Sequence, residues 1–359
     1  MNVAAELKVV VVSGGTSTER DVSLASGRFI ASSLRQRDYA VAEVVWPDDV
    51  AAILAGQRLE FHVRDDAGGA DVSIAREPPT LARLTELESS LTGADRVIGL
   101  IEGCRNADIV FIALHGGAGE DGTVQSVLEF AGIVHTGADG DACARAFNKA
   151  VSKPLMLHAG IATPAWRAIS SVDKVNAIDL ELPLVVKPAR GGSTVGVTLA
   201  ATRAELTQRV ADTLRFDSTV LVEQYVEGTE LTVGILGGDA LPIVEIVHDG
   251  PLFDYAAKYQ TGGALEICPA RLPQAVTGSV QQAAERVHEV LGLGRHAYSR
   301  IDFRLPDDGT PVCLEANVLP GMTPLSLIRK AAIEAGQDFP EFCHRIVQHA
   351  VAGTRERAR

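Results

Sequence analysis

The segment "RIDFRLPDDGTPVCLEAN", residues 300–317, has the pattern of a β-hairpin with one apolar and one charged face. Its PDDG stretch is a turn signal between two β-prone runs. If the hairpin folds about its midpoint, Asp302 lies opposite Glu315. Because side chains two apart on a strand share a face, one face carries Arg300, Asp302, Glu315 and Asn317. The other face is then apolar and carries Ile301, Phe303, Leu305, Val312, Leu314 and Ala316.

Two carboxylates that face each other on a hairpin repel, by about 4 kcal/mol at a separation of about 4 Å near a protein surface. A positive group between them removes that cost. Two acids and an amide, Asp302, Glu315 and Asn317, form an all-oxygen ligand set that suits Mg²⁺ or Mn²⁺. Alternatively, the face is solvated and Arg300 and Arg304 neutralise the acids. Taken alone, the hairpin is compatible with both interpretations.

Composition limits the class of protein. A chain of 359 residues suggests two or three domains, and its 46% apolar content is sufficient for sizeable cores. The net charge of −13, without a basic cluster interleaved with aromatic residues, argues against a nucleic-acid partner. Five scattered cysteines without a CxxC pair indicate reduced thiols and no zinc site. The sequence shows no signal peptide and no apolar run long enough to insert into a membrane, so we expect a cytoplasmic enzyme.

The first part of the chain has the pattern of a parallel α/β domain, because apolar strands alternate with helices. Strands are predicted at 8–15, 107–117 and 133–137, and helices at 19–37 and 122–131. Residues 48–96, which are rich in Ala, Asp and Glu, are interpreted as a peripheral insertion.

Two further units follow. The second has a predicted helix at 143–159, strands at 182–188, 197–200 and 220–226, and a helix at 203–215. The third has a mixed, mostly antiparallel sheet that includes the hairpin, with helices at 276–291 and 326–350. We therefore predict three domains with mixed α/β and α+β character, at 1–139, 140–224 and 225–359.

The stretch KPARGGSTVG, residues 187–196, is a glycine loop between strand-like segments. Glycines let backbone N–H groups approach an anion, and Ser193 and Thr194 add hydroxyl donors. Lys187 ends the preceding strand, but no GK[ST] follows, so this is not a P-loop. The loop either covers a nucleotide phosphate or is an ordinary flexible turn.

The first loop, SGGTSTERDVS at 13–23, lacks the GxGxxG pattern that a dinucleotide-binding fold has after its first strand. A Rossmann dehydrogenase is therefore disfavoured. Thr16 and Glu19 match a T-x-x-E capping box, and this spacing favours a helix-capping role for Glu19. The alternative is that Glu19 faces the cleft beyond the carboxyl end of the strand, where open α/β sheets bind ligands.

Seven segments in order along the chain together resemble the D-alanine–D-alanine ligases of the ATP-grasp superfamily. They are GGTSTERDVS (14–23), ALHGGAGEDGTVQ (113–125), VVKPARGGSTVGV (185–197), FDYAAKY (253–259), CPA (268–270), RIDF (300–303) and LEANVLPGMT (314–323). The resemblance implies an ATP-grasp fold of three domains, with nucleotide bound between the central and C-terminal domains. It also implies ATP-dependent ligation of two D-alanines through an acyl phosphate for peptidoglycan synthesis, and a homodimer, which is usual in relatives.

The resemblance further implies which residues bind ATP and metal. Asp302, Glu315 and Asn317 match the ligands of two Mg²⁺ (or Mn²⁺) ions. The residues that match phosphate-binding positions are Lys149, Lys187, Lys258 and the loop residues Gly192, Ser193 and Thr194. Glu223 matches the acid near the adenine amino group, and Glu230 matches the acid on the ribose hydroxyls. The backbones of Gln224 and Val226 match adenine contacts.

The implied amino-acid site uses other segments. Glu19 matches the acid that holds the ammonium of the first D-alanine, and His115 lines the same pocket. Ser193 and Tyr259 match a hydrogen-bonded pair with Glu19 as third member. Arg300 and the N–H of Gly321 match the donors to the oxyanion, and Ser326 matches the group that holds the second carboxylate. Residues 249–268, which include Lys258 and Tyr259, match a mobile lid that excludes water.

Departures from the family pattern leave amino-acid specificity open. Val318 stands where many relatives have a hydroxyl, Ala256 replaces an acid, and QTGGALEICPA diverges apart from CPA. These departures permit a related ligase that joins other amino acids. A nucleotide-binding protein without catalysis is a third hypothesis, which the loss of a metal ligand or of a phosphate-binding lysine would support, and none is lost.

Overall fold

The structure is a computed structural model that describes residues 7–63, 74–75, 77–248, 250 and 263–357. The described residues form three sheets, each with helices packed against it. Within the described residues, no helix is long and apolar enough to cross a membrane. The mixed α/β and α+β fold class predicted from the sequence is confirmed.

The first sheet is parallel, with strand order β2-β1-β3. Its strands are β1 (Lys8–Gly14), β2 (Ala40–Trp46) and β3 (Ile109–Ile112). Valines fill the middle of β1 on both faces, as expected for a strand covered by helices on both sides. The helices are α1 (Arg20–Arg35), α2 (Val50–Leu54), α3 (Leu81–Ser89), α4 (Gly93–Cys104) and α5 (Thr123–Phe130). The strand predicted at 133–137 is reduced to a single bridge between Val110 and His135.

The second sheet is antiparallel, with order β4-β7-β5-β6. Its strands are β4 (Trp166–Ile169), β5 (Leu184–Pro188), β6 (Thr198–Ala200) and β7 (Val220–Gln224). The helix that packs on this sheet is α8 (Arg203–Thr213). Two helices that precede the sheet in the chain, α6 (Gly140–Phe147) and α7 (Lys149–His158), pack against other parts of the protein. The single helix predicted at 143–159 is in fact two, because Asn148 leaves the helical conformation and its side chain caps α7 by accepting from the Ala150 N–H. This break puts Lys149 at the start of α7.

The third sheet is antiparallel, with order β11-β10-β8-β12-β13 and β9 paired to β8. Its strands are β8 (Thr229–Leu236), β9 (Asp239–Ala240), β10 (Val244–Val247), β11 (Leu265–Ile267), β12 (Tyr298–Leu305) and β13 (Val312–Asn317). Its helices are α9 (Gln274–Val290), α10 (Leu327–Glu334) and α11 (Phe339–Arg357). The single helix predicted at 326–350 is interrupted at Gly336, whose φ of 78° ends α10.

The apolar core is divided between these sheets. One cluster runs continuously through the first and third sheets, where Phe29 stacks on Phe339 with ring centroids 4.4 Å apart. The second sheet and α8 have a separate cluster of their own. The second sheet and α8 are therefore packed independently of the joined first and third sheets, whereas α6 and α7 bury Ala142, Cys143, Ala146 and Met156 in the larger cluster. The division into three domains at 139 and 224 stays a prediction.

The hairpin has the predicted register at its charged end. Asp302 pairs with Glu315, and Arg300 pairs with Asn317. A bulge then follows, so that Phe303 pairs with Cys313. Cys313 is buried, whereas Val312 and Leu314 are partly exposed, so the prediction that Val312 and Leu314 share the apolar face is wrong. One extra residue in β13 reverses the faces beyond the bulge.

Candidate active site

Two cavities adjoin the charged face of the hairpin. We call the first the loop cavity, because the glycine loop 189–196 forms one wall of it. We call the second the acidic cavity, because four glutamates border it: Glu19, Glu120, Glu230 and Glu266. Glu230 and Asp302 border both cavities, so a ligand in one meets a ligand in the other at these two carboxylates.

The loop cavity lies between the second and third sheets. It brings together most of the residues predicted to bind nucleotide: Lys149, Lys187, Gly192, Thr194, Glu223, Gln224, Val226 and Glu230. The hairpin contributes Asp302, Leu314 and Glu315 to the opposite wall. The lysine predicted at 258 lies outside the described residues.

Lys149 joins the hairpin to the glycine loop. Its Nζ lies 3.2 Å from Glu315 Oε2 and donates a 2.8 Å hydrogen bond to the Gly191 carbonyl. Because Lys149 begins α7, the helix break at Asn148 positions this contact. The glycine loop, α7 and the hairpin that carries the predicted metal ligands thus meet at the ammonium group of Lys149.

Glu223 lies at the end of β7, buried between two lysines. Lys187 Nζ is 3.0 Å from one carboxylate oxygen, and Lys153 Nζ is 3.1 Å from the other. Burial alone would raise the pKa of Glu223, but the two ammonium groups outweigh it and hold this pKa below its usual value. Sequence reasoning missed Lys153; the signal was its position one helical turn after Lys149.

Asp302 accepts hydrogen bonds on both carboxylate oxygens. Arg300 Nε and Nη2 each lie 2.9 Å from Asp302, and Thr232 Oγ1 lies 2.6 Å from it. Asn317 donates through Nδ2 at 3.0 Å, which leaves its Oδ1 as a ligand atom. A divalent ion here would share Asp302 with Arg300. No cluster of three or more His, Cys, Asp or Glu side chains in the described part of the chain is arranged to hold a metal, so oxygens from a bound ligand would complete this set.

Glu19 flanks the start of α1 and turns its carboxylate into the acidic cavity. The predicted capping box does not form, because Glu19 makes no side-chain cap and its own N–H donates to Ser17 Oγ at 3.1 Å. Ser193 Oγ donates to Glu19 Oε1 instead. The favoured capping role for Glu19 is therefore wrong, and the alternative cleft-facing position is found.

The tip of the glycine loop is held in an uncommon backbone conformation. Ser193 and Thr194 have φ values of 48° and 62°, which residues with a Cβ rarely adopt. Backbone strain of this kind persists only where surrounding contacts impose it, and here the Ser193–Glu19 hydrogen bond does so. Tyr259, the predicted hydrogen-bond partner of Ser193, lies outside the described residues.

Glu120 is a buried acid of the cavity that sequence reasoning missed, although it lies in the quoted segment HGGAGEDG. Burial first, and the neighbouring Glu19 second, raise the pKa of Glu120 to about 8. Glu120 therefore tends to keep its proton to a much higher pH than an ordinary carboxyl does. An ammonium group placed between Glu19 and Glu120 would reverse that preference.

We expect Glu120→Gln to raise the free energy of unfolding above that of wild type by a larger amount at pH 8 than at pH 5. As pH rises above the usual carboxyl pKa, the unfolded chain ionises at Glu120 while the folded chain keeps its proton, so wild type loses stability over this range. Glutamine does not titrate. Between pH 5 and pH 8, the advantage of the variant over wild type in unfolding free energy should grow by more than about 1.4 kcal/mol, the equivalent of one pKa unit. Thermal unfolding at both pH values measures it. The exposed Glu289→Gln is the control, and an equal gain at pH 5 and pH 8 contradicts the prediction.

His115 was expected in the wall of the substrate pocket, but the structure places it one layer behind. It is buried, with Nδ1 2.8 Å from the Leu319 carbonyl and Nε2 2.9 Å from Ser26 Oγ. Burial lowers the pKa of His115 to about 4, so the ring is neutral, and the carbonyl assigns its hydrogen to Nδ1. Ser26 then donates to Nε2 and accepts from the Met322 N–H. His115 and Ser26 together hold the loop that carries Gly321.

Residues from the third unit close the acidic cavity. Arg300, Gly321 and Ser326 all border it, as the sequence predicted for one site, together with Asn317. Ser326 Oγ donates to the Thr323 carbonyl at 2.8 Å. Glu266, which sequence reasoning missed, also borders the cavity and forms an ion pair with Lys330. The signal was the divergence of the segment that contains Glu266.

Comparison with known proteins agrees with this arrangement. The family model described as D-ala D-ala ligase N-terminus matches residues 8–138, and the one described as D-ala D-ala ligase C-terminus matches residues 155–348. The chain belongs to the D-alanine–D-alanine ligase family. The resemblance noted in the sequence is thereby confirmed.

Individual relatives match over nearly their whole length. The chain is 36% identical to a D-alanine–D-alanine ligase of Syntrophotalea carbinolica over 343 residues, which is 96% of each protein. It is 38% identical to one from Anaeromyxobacter sp. strain Fw109-5 over 348 residues, again 96% of each. Among solved structures, the ligase of Bacillus anthracis complexed with ATP superimposes with a TM-score of 0.74 at 26% identity, covering 98% of this chain and 99% of that one.

Proposed function

We propose that this member of the D-alanine–D-alanine ligase family joins two D-alanines to D-alanyl-D-alanine and converts ATP to ADP and phosphate. The supporting observation is the pair of cavities that meet at Asp302 and Glu230. One cavity has lysines and a glycine loop, which suit a triphosphate. The other has acids at one end and Arg300 and Ser326 elsewhere, which suit an ammonium and a carboxylate. The relative from Bacillus anthracis holds ATP, which supports the same ligand here.

The reaction begins at the boundary between the cavities. The carboxylate of the first D-alanine attacks the γ-phosphorus of ATP to form an acyl phosphate, and ADP leaves. Lys149 and Lys187 hold the phosphates and offset their charge. Glu19 fixes the ammonium of the first D-alanine, so that its carboxylate points at the hairpin.

The second step takes place in the acidic cavity. The amine of the second D-alanine attacks the acyl carbonyl, and phosphate departs as the amide bond forms. Arg300 and the Gly321 N–H stabilise the oxyanion of the tetrahedral intermediate, while Ser326 holds the second carboxylate. The work of the protein is therefore positioning and charge stabilisation.

Asp302, Glu315 and Asn317 fit a divalent cation, because they present carboxylate and amide oxygens on one face. When bound, Mg²⁺ or Mn²⁺ neutralises phosphate charge during transfer. Most of the lid expected at 249–268 lies outside the described residues. We further infer three domains with the nucleotide between the second and third, a homodimer and a cytoplasmic location. These remain proposals.

A panel of D- and L-amino acids tests the proposal by phosphate release with ATP and Mg²⁺. We expect D-alanine to give the highest rate, with D-alanyl-D-alanine found by mass spectrometry. A higher rate with another amino-acid pair would assign the chain to a different ligation. Nucleotide binding without turnover on any amino acid would contradict catalysis.

A further inference from the structure

Lys153 is a fully buried lysine behind the wall of the loop cavity. Its side chain has no exposed surface, and it does not border either cavity. Its Nζ lies 3.1 Å from Glu223 Oε1, donates to Thr163 Oγ1 at 2.7 Å, and sits 5.8 Å from the centroid of the Trp166 ring. This ammonium group therefore forms an ion pair with one carboxylate, donates a hydrogen bond to one hydroxyl and lies over one aromatic ring. Lys153 is thus committed to protein groups and cannot reach a ligand.

Lys187, the other lysine that pairs with Glu223, differs from Lys153 because it can reach a ligand. Lys187 borders the loop cavity, and its Nζ is 3.0 Å from Glu223 Oε2. It can therefore be shared between Glu223 and a bound phosphate. Burial lowers the pKa of Lys153 to about 8 despite the attraction of Glu223, so the buried ammonium depends on its carboxylate partner. When Lys187 turns to a ligand, Lys153 remains as the permanent counter-charge of Glu223.

We propose that Lys153 is a positioning residue that sets the purine selectivity of the nucleotide site by keeping Glu223 an ionised, acceptor-only group. The proposal rests on the proposed use of ATP. It assigns to Lys153 a specificity role, which acts through Glu223 and without any contact to the nucleotide.

The chemistry of the base makes this selective. Glu223 borders the loop cavity, and the family resemblance implies that it lies near the 6-amino group of adenine. An ionised carboxylate can only accept hydrogen bonds, and that amino group donates one. Hypoxanthine and guanine carry a carbonyl at that position, which an ionised carboxylate repels. A protonated Glu223 would donate to that carbonyl. Loss of the Lys153 charge should therefore weaken the discrimination between 6-amino and 6-oxo purines.

Binding of ADP and IDP to the full chain tests this inference without turnover. We expect wild type to prefer ADP by at least about a hundredfold, since sites built around a hydrogen bond reject analogues that cannot make it. Lys153→Gln keeps a donor near Glu223 but removes the charge, and it should reduce this ratio about tenfold. Lys153→Met, which removes both, should reduce it further. Lys174→Gln, an exposed lysine of the same unit, should leave the ratio unchanged.

A double-mutant cycle separates this role from a merely structural one. In a Glu223→Gln background the charge of Glu223 is already gone, so Lys153→Gln should not change the ADP-to-IDP ratio further. An equal change in both backgrounds overturns the inference, as does an unchanged ratio in the single variant. Wild type that binds neither nucleotide would instead contradict the proposed function.

A measurement on wild type avoids any dependence on the folding of variants. Purine riboside diphosphate lacks a substituent at position 6 and neither donates nor accepts there. An ionised Glu223 predicts the affinity order ADP, then purine riboside diphosphate, then IDP. Tighter binding of IDP than of the unsubstituted purine would overturn the proposal.

Discussion

Glu315→Gln is expected to lower the rate of phosphate release by roughly a thousandfold, on the scale seen when a group that stabilises transition-state charge is removed. Glu315 lies opposite Asp302 in the hairpin and within 3.2 Å of Lys149 Nζ. Glutamine retains the shape of the side chain but supplies no negative charge for a divalent ion. The measurement is steady-state phosphate release at saturating D-alanine, ATP and Mg²⁺.

The control for this substitution lies on the same hairpin. Asp307→Asn removes one charge from its exposed turn, borders neither cavity, and should leave the rate unchanged. Both variants should melt near the wild-type temperature, because Glu315 is partly exposed. A normal rate for Glu315→Gln in saturating Mg²⁺ would refute the metal assignment.

Gly192→Ala is expected to reduce kcat/KM for D-alanine by about a hundredfold. A Cβ added at Gly192 would overlap Glu19 Oε2 and lie 2.9 Å from its Cδ. The Glu19 carboxylate and the glycine loop must therefore move apart, and the Ser193–Glu19 hydrogen bond would break. A displacement of about 1 Å at a positioned catalytic group can cost this much. The rate is measured against D-alanine concentration at fixed ATP.

A glycine in open space provides the comparison. Gly278 lies in α9, where an added Cβ meets nothing within 4 Å. Gly278→Ala should keep full activity and raise stability by about 0.5–1 kcal/mol through helix propensity. If Gly192→Ala is as active as Gly278→Ala, then the close approach of the loop to Glu19 has no role in positioning the substrate.

The hairpin shows what alternation in a sequence can predict. The period-two pattern gave the pairing of Asp302 with Glu315, because a slip by one residue would expose the apolar face. The bulge was not predictable from that pattern. It depends on a tertiary contact, since the Cys313 N–H donates to the Ala162 carbonyl at 2.8 Å on a segment outside the hairpin.

In the candidate site, too, local sequence patterns did not predict contacts between residues that are far apart in the chain. Helix-capping statistics favoured a local role for Glu19, but its partner Ser193 lies 174 residues away. Lys153 and Glu120 acquire their roles from Glu223 and Glu19, which are distant in sequence. The helical spacing of Lys153 from Lys149 indicates its position but not its partner. The resemblance to a family supplied most candidate residues, and the structure adds the groups that hold them in place.

Transfer of oxygen from substrate to phosphate tests the central claim most directly. If the D-alanine carboxylate attacks ATP, one carboxylate oxygen leaves with the phosphate when the amide bond forms. D-alanine labelled with ¹⁸O in its carboxylate should therefore give inorganic phosphate that carries one ¹⁸O atom, detected by mass spectrometry. Dipeptide formation with unlabelled phosphate would contradict the acyl phosphate mechanism.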